Sequence, residues 1–286
     1  MLHPHKIAVI ANPHSGNKST ARQWSEIDQA LKDKIGDYTL FPTEHPGHAS
    51  ELVCQALHDG YDRIVSAGGD GTNNEVINGF FENHKPINPA AAMALLPLGT
   101  GSDLARTLQL PRGIDAILYI IHDVVVAADV GLATYTLSDG SQASRYFINV
   151  CHAGMGGAVA KASVRFKALG GFLTYLMATM TTLSTYKNAW CETDVDGVQF
   201  KQLCRDIIIA KGQYDGGGMH VAPKAQLDNG LFEIYVLGDM SIPFALSHIG
   251  SIYHGRLLEI PDKVSYHRAR KITIHSPETV LINLDG

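Results

Sequence analysis

The chain has 286 residues, 45% hydrophobic and 18% charged, an ordinary globular composition that excludes a disordered chain. With 23 Lys and Arg against 28 Asp and Glu the net charge is −5. That balance argues against nucleic acid as a partner and leaves only a local basic patch for an anionic lipid surface.

Taken from the N-terminus, Ile7–Ile10 reads as a short strand that ends in the turn Asn12-Pro13-His14-Ser15-Gly16. No secretory leader pattern precedes it. Ser19–Leu31 has helical spacing, with Trp24, Ile27 and Leu31 on one side. Tyr38–Phe41 is a second strand and Ala49–His58 a second helix. Arg63–Ala67 is a third strand, followed at once by Gly68-Gly69-Asp70-Gly71-Thr72 and a helix over Asn73–Phe81. Ala91–Leu96 is a fourth strand, closed by Pro97-Leu98-Gly99-Thr100-Gly101. Such strand–loop–helix repetition predicts a parallel sheet with crossover helices, an α/β Rossmann-like unit.

After a short helix over Ile114–His122, strand signals dominate: Val124–Val130, Arg145–Val150, Arg205–Ala210, Leu231–Leu237, Lys271–His275 and Thr279–Leu284. Asp196-Gly197 between two strand-like runs predicts a hairpin turn. Helices are expected over Gly171–Thr185 and Ser241–His254. The reading is therefore an α/β domain over residues 1–125 and an antiparallel β domain over 126–286. Phe172–Leu183, the longest apolar-leaning stretch, is too short and too rich in threonine to span a bilayer. The four cysteines form no Cys-x-x-Cys pair, so neither a zinc site nor a redox motif is signalled. A cytoplasmic chain with reduced thiols is expected.

Two glycine turns carry the chemistry. Gly68-Gly69-Asp70-Gly71-Thr72-Asn73-Asn74-Glu75 follows a strand and opens a helix. Glycines let the backbone approach an anion, and a helix N-terminus suits a phosphate. Asp70 would hold a divalent cation or orient a phosphate; an ordinary capped turn is the alternative. Gly99-Thr100-Gly101-Ser102-Asp103 also follows a strand and opens a helix. In a parallel sheet both loops emerge at the carboxyl ends of strands, where ligands bind. Asp103 either serves that site or stabilises its helix start; Arg106 either pairs with Asp103 or faces phosphate. Neither turn is a Walker loop.

These motifs, with Asn12-Pro13-x-Ser15-Gly16, resemble the soluble diacylglycerol kinase catalytic-domain family, which includes sphingosine and bacterial lipid kinases. Thr43-Glu44-His45-Pro46-Gly47-His48-Ala49, Asp129-Val130-Gly131, Phe147–Val150 with Gly154-Met155-Gly156, Gly216-Gly217-Gly218-Met219 and Leu227-Asp228-Asn229-Gly230-Leu231 resemble further signatures along the chain. The resemblance implies a nucleotide-binding domain similar to those of phosphofructokinase and NAD kinase, then a β-sandwich. It places ATP and the lipid head group in the cleft between them and returns the last segment toward the first domain. It implies an ATP site lined by Asn12, Thr43, Gly68, Gly69, Asp70, Gly71, Thr72, Asn73, Asn74, Gly99, Thr100 and Asp103. The implied reaction is Mg²⁺-dependent transfer of the ATP γ-phosphoryl group to a lipid hydroxyl. An NAD kinase shares the Gly-Gly-Asp-Gly loop, and a catalytically silent nucleotide- or lipid-binding regulator is the rival from another class.

Asp129 is also a metal candidate, as organiser of a water–metal network for the transfer, or else a structural strand-end residue; a second, structural magnesium is implied around Gln226, Asn229 and Leu231. The family has Asp where Asn229 stands, and an amide oxygen ligates without the charge; Asp228 is the compensating candidate. The family's catalytic segment reads Asp-Gly-Glu, with Glu as proton acceptor. This sequence ends at Leu284-Asp285-Gly286; truncation is the favoured explanation, a silent protein the other. Asp285 is then the nearest candidate base or orienter, or a simple turn residue. The apolar residues of 164–186, among them Phe166, Phe172, Leu173, Tyr175, Met177 and Leu183, either pack on the β domain or line a lipid entrance. Lys161, Arg165, Lys167 and Lys187 suit an anionic membrane surface, which would make the chain peripheral at the inner membrane face. An exposed sheet edge in the β domain offers a place for two copies to pair as a homodimer.

Overall fold

A computed structural model of the chain describes residues 5–120, 124–260 and 262–285, without the side chains at 17, 18, 167, 168, 171 and 172. The last residues of the helix expected over 114–122, the side chains of Lys167 and Phe172, and Gly286 lie outside that description. Two compact units divide it: Met1–Val126 with Leu132–Tyr146, and Ala127–Gly131 with Phe147–Gly286. Residues 132–146, assigned by sequence to the second domain, cluster with the first, so a single break at 125 is corrected to a double crossing.

The first unit runs β1 (Ile7–Ala11), α1 (Ser15–Ile35), β2 (Thr39–Pro42), α2 (His48–His58), β3 (Arg63–Gly68), α3 (Asp70–Gly79), β4 (Phe81–Glu82), β5 (Lys85–Pro86), β6 (Ala92–Pro97), α4 (Asp103–Thr107) and α5 (Ile117–Ile120). Strands β2-β1-β3-β6 form a parallel sheet in that order. Ile64, Val65, Ser66 and Ala67 of central β3 are all buried, as expected for a parallel strand covered on both faces. Ile27 and Leu31, one helical turn apart on α1, pack with Val9, Val65 and Leu96. Each such buried side chain contributes about 1.5–3 kcal/mol.

The strand expected over Val124–Val130 does not form; Val124, Val125 and Val126 are exposed and unstructured. A β-branched run has strand propensity, but a strand needs a partner. The chain instead begins β7 at Gly131–Thr136 and turns into β8, Gln142–Phe147. β9 (Val150–Gly154) starts after a two-residue break, so the strand expected over Arg145–Val150 is two strands.

The second unit continues with α6 (Met155–Ser163), α7 (Gly171–Thr185), β10 (Ala189–Val195), β11 (Val198–Ala210), β12 (Phe232–Gly238), α8 (Ile242–Ser247), α9 (Ile249–Tyr253), β13 (Val264–Ala269), β14 (Ile272–His275) and β15 (Ile282–Leu284). All its strand pairs are antiparallel. Long β11 is the spine. β12 follows Cys204–Ala210 on one side; on the other, β10 takes Val198–Cys204 and β9 takes Asp206–Ala210. Asp196 and Gly197 have φ of 48° and 91°, the left-handed pair that a two-residue hairpin requires. The helix expected over 241–254 is broken at His248. The last strand, expected to return toward the first domain, pairs with β9 inside the second unit.

Candidate active site

In the first unit the two glycine loops touch backbone to backbone. Gly68 O accepts from Leu98 N at 2.9 Å and Gly99 N at 3.0 Å. A Cβ built on Gly99 would fall on Gly69 Cα, and one on Gly69 would lie 3.2 Å from Gly99 Cα. Arg112 fastens the second loop through Gly99 O at 2.6 Å and Thr100 O at 2.8 Å. Thr100 itself is exposed.

Asp70 joins the loops. Its Oδ1 accepts from the backbone of Asp103 at 2.9 Å and Leu104 at 3.3 Å, capping α4. Asp103 is buried, with Arg106 Nε 4.0 Å from its Oδ1. The cap on α4 thus comes from Asp70 in the other glycine loop, across the loop junction, and not from Asp103 itself. The start of α3 has no side-chain cap, and Gly71 in its first turn is exposed. A helix start beside hard carboxylate oxygens is the kind of place that suits a magnesium nucleotide.

The other expected lining residues divide. Asn12 donates to Thr72 Oγ1 at 3.0 Å, tying the β1 turn to the first glycine loop. Thr43 is buried, its N–H donating to Ala11 O at 2.8 Å. Asn73 and Asn74 do not aim at an open site. Ser66 Oγ donates to Asn73 Oδ1 at 2.7 Å, and Asn74 receives Arg145 Nε at 2.6 Å and donates to Tyr146 O at 2.9 Å. Both are buried and hold α3 in place. Glu75, given no role from the sequence, receives Gly47 N at 2.9 Å and Ala49 N at 3.2 Å, so it fixes the segment after Thr43.

In the second unit the oxygens expected around magnesium are met by a lysine. Lys211, 1% exposed, donates from Nζ to Asp129 Oδ2 at 2.7 Å, Asn229 Oδ1 at 3.0 Å and Leu231 O at 3.0 Å. Burial alone would raise the Asp129 carboxyl, but hydrogen bonds from Lys211 and Gly230 N outweigh it and hold it below the usual range. Gln226 and Asp228 are exposed. A dication does not fit oxygens already satisfied by an ammonium, so the expected metal set of Gln226, Asn229, Leu231 and Asp129 is corrected.

Asp285, expected as a base, is buried, and its carboxylate accepts from three backbone N–H groups: Ile148 at 2.9 Å, Asn149 at 2.9 Å and Val150 at 3.0 Å. It is the clamp on the break before β9. His152, which sequence reasoning passed over, is buried between Asp206 Oδ2 at 2.7 Å and Asp215 Oδ2 at 3.2 Å. Desolvation pulls its pKa down, but the two carboxylates win and push it up to about 10. No motif marks it; its partners lie more than fifty residues away.

Residues 6–133 match the diacylglycerol kinase catalytic domain, and residues 149–286 match the YegS C-terminal NAD kinase beta sandwich-like domain. The diacylglycerol kinase of Staphylococcus carnosus (strain TM300) is 29% identical over 281 residues, 97% of this chain and 87% of its own. That of Staphylococcus aureus (strain MRSA252) is 28% identical over 285 residues, 97% and 84%. A crystal structure of a diacylglycerol kinase from Bacillus anthracis str. Sterne aligns with a TM-score of 0.71 and 22% identity, covering 99% of this chain and 90% of that one. Yeast NADH kinase complexed with NADH aligns with a TM-score of 0.53 and 12% identity, covering 100% and 76%. These two alignments speak for the fold. Among the described residues no helix is long and apolar enough to cross a membrane.

Proposed function

Because the chain belongs to the diacylglycerol kinase catalytic-domain family, we propose that it transfers the γ-phosphoryl group of ATP to the hydroxyl of a diacylglycerol-like lipid. The observation that carries this reading is the backbone contact of the two glycine loops at the start of α3. Phosphoryl transfer needs positioning and charge neutralisation rather than covalent chemistry from the protein. The α3 N–H groups receive phosphate oxygens, and Asp70 and Asp103 provide oxygens of the kind magnesium takes. Magnesium, when bound, neutralises the charge on the transferred group. Asp70 keeps the second loop in register with the first through the α4 backbone.

The proton of the lipid hydroxyl is not assigned to Asp285, whose carboxylate is committed to three backbone donors. The acceptor lipid approaches over residues 161–187, where Val164, Leu169, Leu173 and Met177 are exposed, as are Lys161, Arg165 and Lys187.

The test incubates the full open reading frame with γ-labelled ATP, magnesium and a panel of lipids in mixed micelles, with NAD in a parallel tube. Label in a lipid is the expected result and names the acceptor class. Label in NAD alone would move the chain to nucleotide phosphorylation, and ATP binding without label in any acceptor would overturn the kinase reading. Asp70→Ala is expected to abolish turnover in a folded protein; full activity there would refute the site.

A further inference from the structure

We propose that the Lys211 ammonium is itself the structural cation of the second unit, standing at the Asp129–Asn229–Leu231 oxygens in place of a divalent metal. An ammonium has three donors, and Lys211 Nζ meets three acceptors at 2.7–3.0 Å: a carboxylate, an amide oxygen and a carbonyl. Magnesium binds oxygen at about 2.0–2.1 Å in near-octahedral geometry, so these oxygens stand too far out from the lysine nitrogen to ligate an ion at its position. Charge points the same way. One ammonium faces one carboxylate; adding a dication would place it against a buried positive charge that has nowhere to move.

The cation organises a loop. Asp129 Oδ2 also accepts from Gly230 N at 2.6 Å, Asp129 N donates to Leu227 O at 2.6 Å, and Asn229 Oδ1 also accepts from Leu231 N at 3.0 Å. Residues 227–231, which lead into β12, are thereby tied to the crossing at Asp129 and to the end of β11. The Asn229 amide fits this arrangement: its oxygen meets the ammonium without adding a second negative charge. Lys211 thus does from inside the chain what a bound metal would do from outside, and the second unit holds this loop at any magnesium concentration. This holds whether or not the chain turns over ATP.

Thermal unfolding of the full chain without nucleotide tests it. The wild-type Tm is expected to stay within about 1 °C between a chelator and millimolar magnesium. Lys211→Met leaves Asp129 facing no cation and should lower the Tm by about 10 °C. The exchange Lys211→Asn with Asn229→Asp should build a dication site and gain about 5 °C on adding magnesium. A magnesium-dependent rise in the wild type that Asn229→Ala abolishes would overturn the proposal, as would a Lys211→Met protein as stable as wild type. If Lys211→Met does not fold, the wild-type titration decides alone.

Discussion

His152 keeps a positive charge in the interior of the second unit because two carboxylates flank it. Its pKa in the folded chain is about 10, against 6.5 for the free side chain. A raised pKa means that the folded state holds the proton while the unfolded state releases it. The stabilisation is therefore complete below pH 6.5 and is lost as pH rises toward 10, with a slope of at most about 1.4 kcal/mol per pH unit for one group. Urea unfolding of wild type and His152→Gln across pH 6–10 should give curves that converge at the alkaline end. Parallel curves would mean that the imidazole is neutral in the fold. Asp285 makes a second residue-level case. Its φ of 61° is a left-handed conformation that Asp tolerates, and it turns the carboxylate onto the three N–H groups of residues 148–150. Asp285→Asn replaces one acceptor oxygen by a donor and should cost about 2–4 kcal/mol. An unchanged urea midpoint would mean that those N–H groups find other acceptors.

At the scale of elements, the proposed nucleotide site depends on two loops that approach more closely than side chains allow. Gly99→Ala puts a methyl group on the Gly69 backbone and should weaken ATP binding at least about ten-fold by parting the loops. Gly71→Ala is the control. It meets nothing within 4 Å and removes a glycine from the first turn of α3, so it should stabilise the chain by about 0.5–1 kcal/mol. Isothermal titration with ATP separates them: weaker binding in a more stable Gly71→Ala protein would mark a ligand against that turn, and equal loss in both would deny that the loop contact matters. Much of this level was legible in the sequence. The alternation of strands and helices and the Asp196-Gly197 hairpin announce themselves by local pattern, and so do the two glycine loops that follow β3 and β6. The misread segments failed because propensity is local. Val124–Val130 has the residues of a strand but forms no strand ladder among the described residues, and 241–254 has helical spacing but divides at His248. Lys211 carries no motif in Ile-Ile-Ile-Ala-Lys-Gly. Its burial follows from acceptors at 129, 229 and 231, which only the folded chain assembles.

On the whole molecule, charge sets the terms for meeting a membrane. A net charge of −5 opposes approach to an anionic surface at long range, so attraction has to be local and short-ranged. The α6–α7 segment has both ingredients: Val164 and Leu173 are 61% and 50% exposed, with exposed Lys161, Arg165 and Lys187 near them in sequence. Inserting Leu173 and Met177, already about half buried, would contribute about 1 kcal/mol each, and each basic residue about 1 kcal/mol at an anionic leaflet. Sedimentation with anionic vesicles should therefore capture the chain at low ionic strength and lose most of it at high ionic strength. Leu173→Asp with Met177→Asp should reduce capture at least ten-fold at both. The same double variant should raise KM for a vesicle-borne acceptor while leaving kcat for a dispersed short-chain acceptor unchanged, because neither side chain belongs to the nucleotide loops. Unchanged capture would assign those apolar side chains to ordinary surface, and a fall in kcat on the dispersed acceptor would mean that the helix shapes the active site rather than the approach to it.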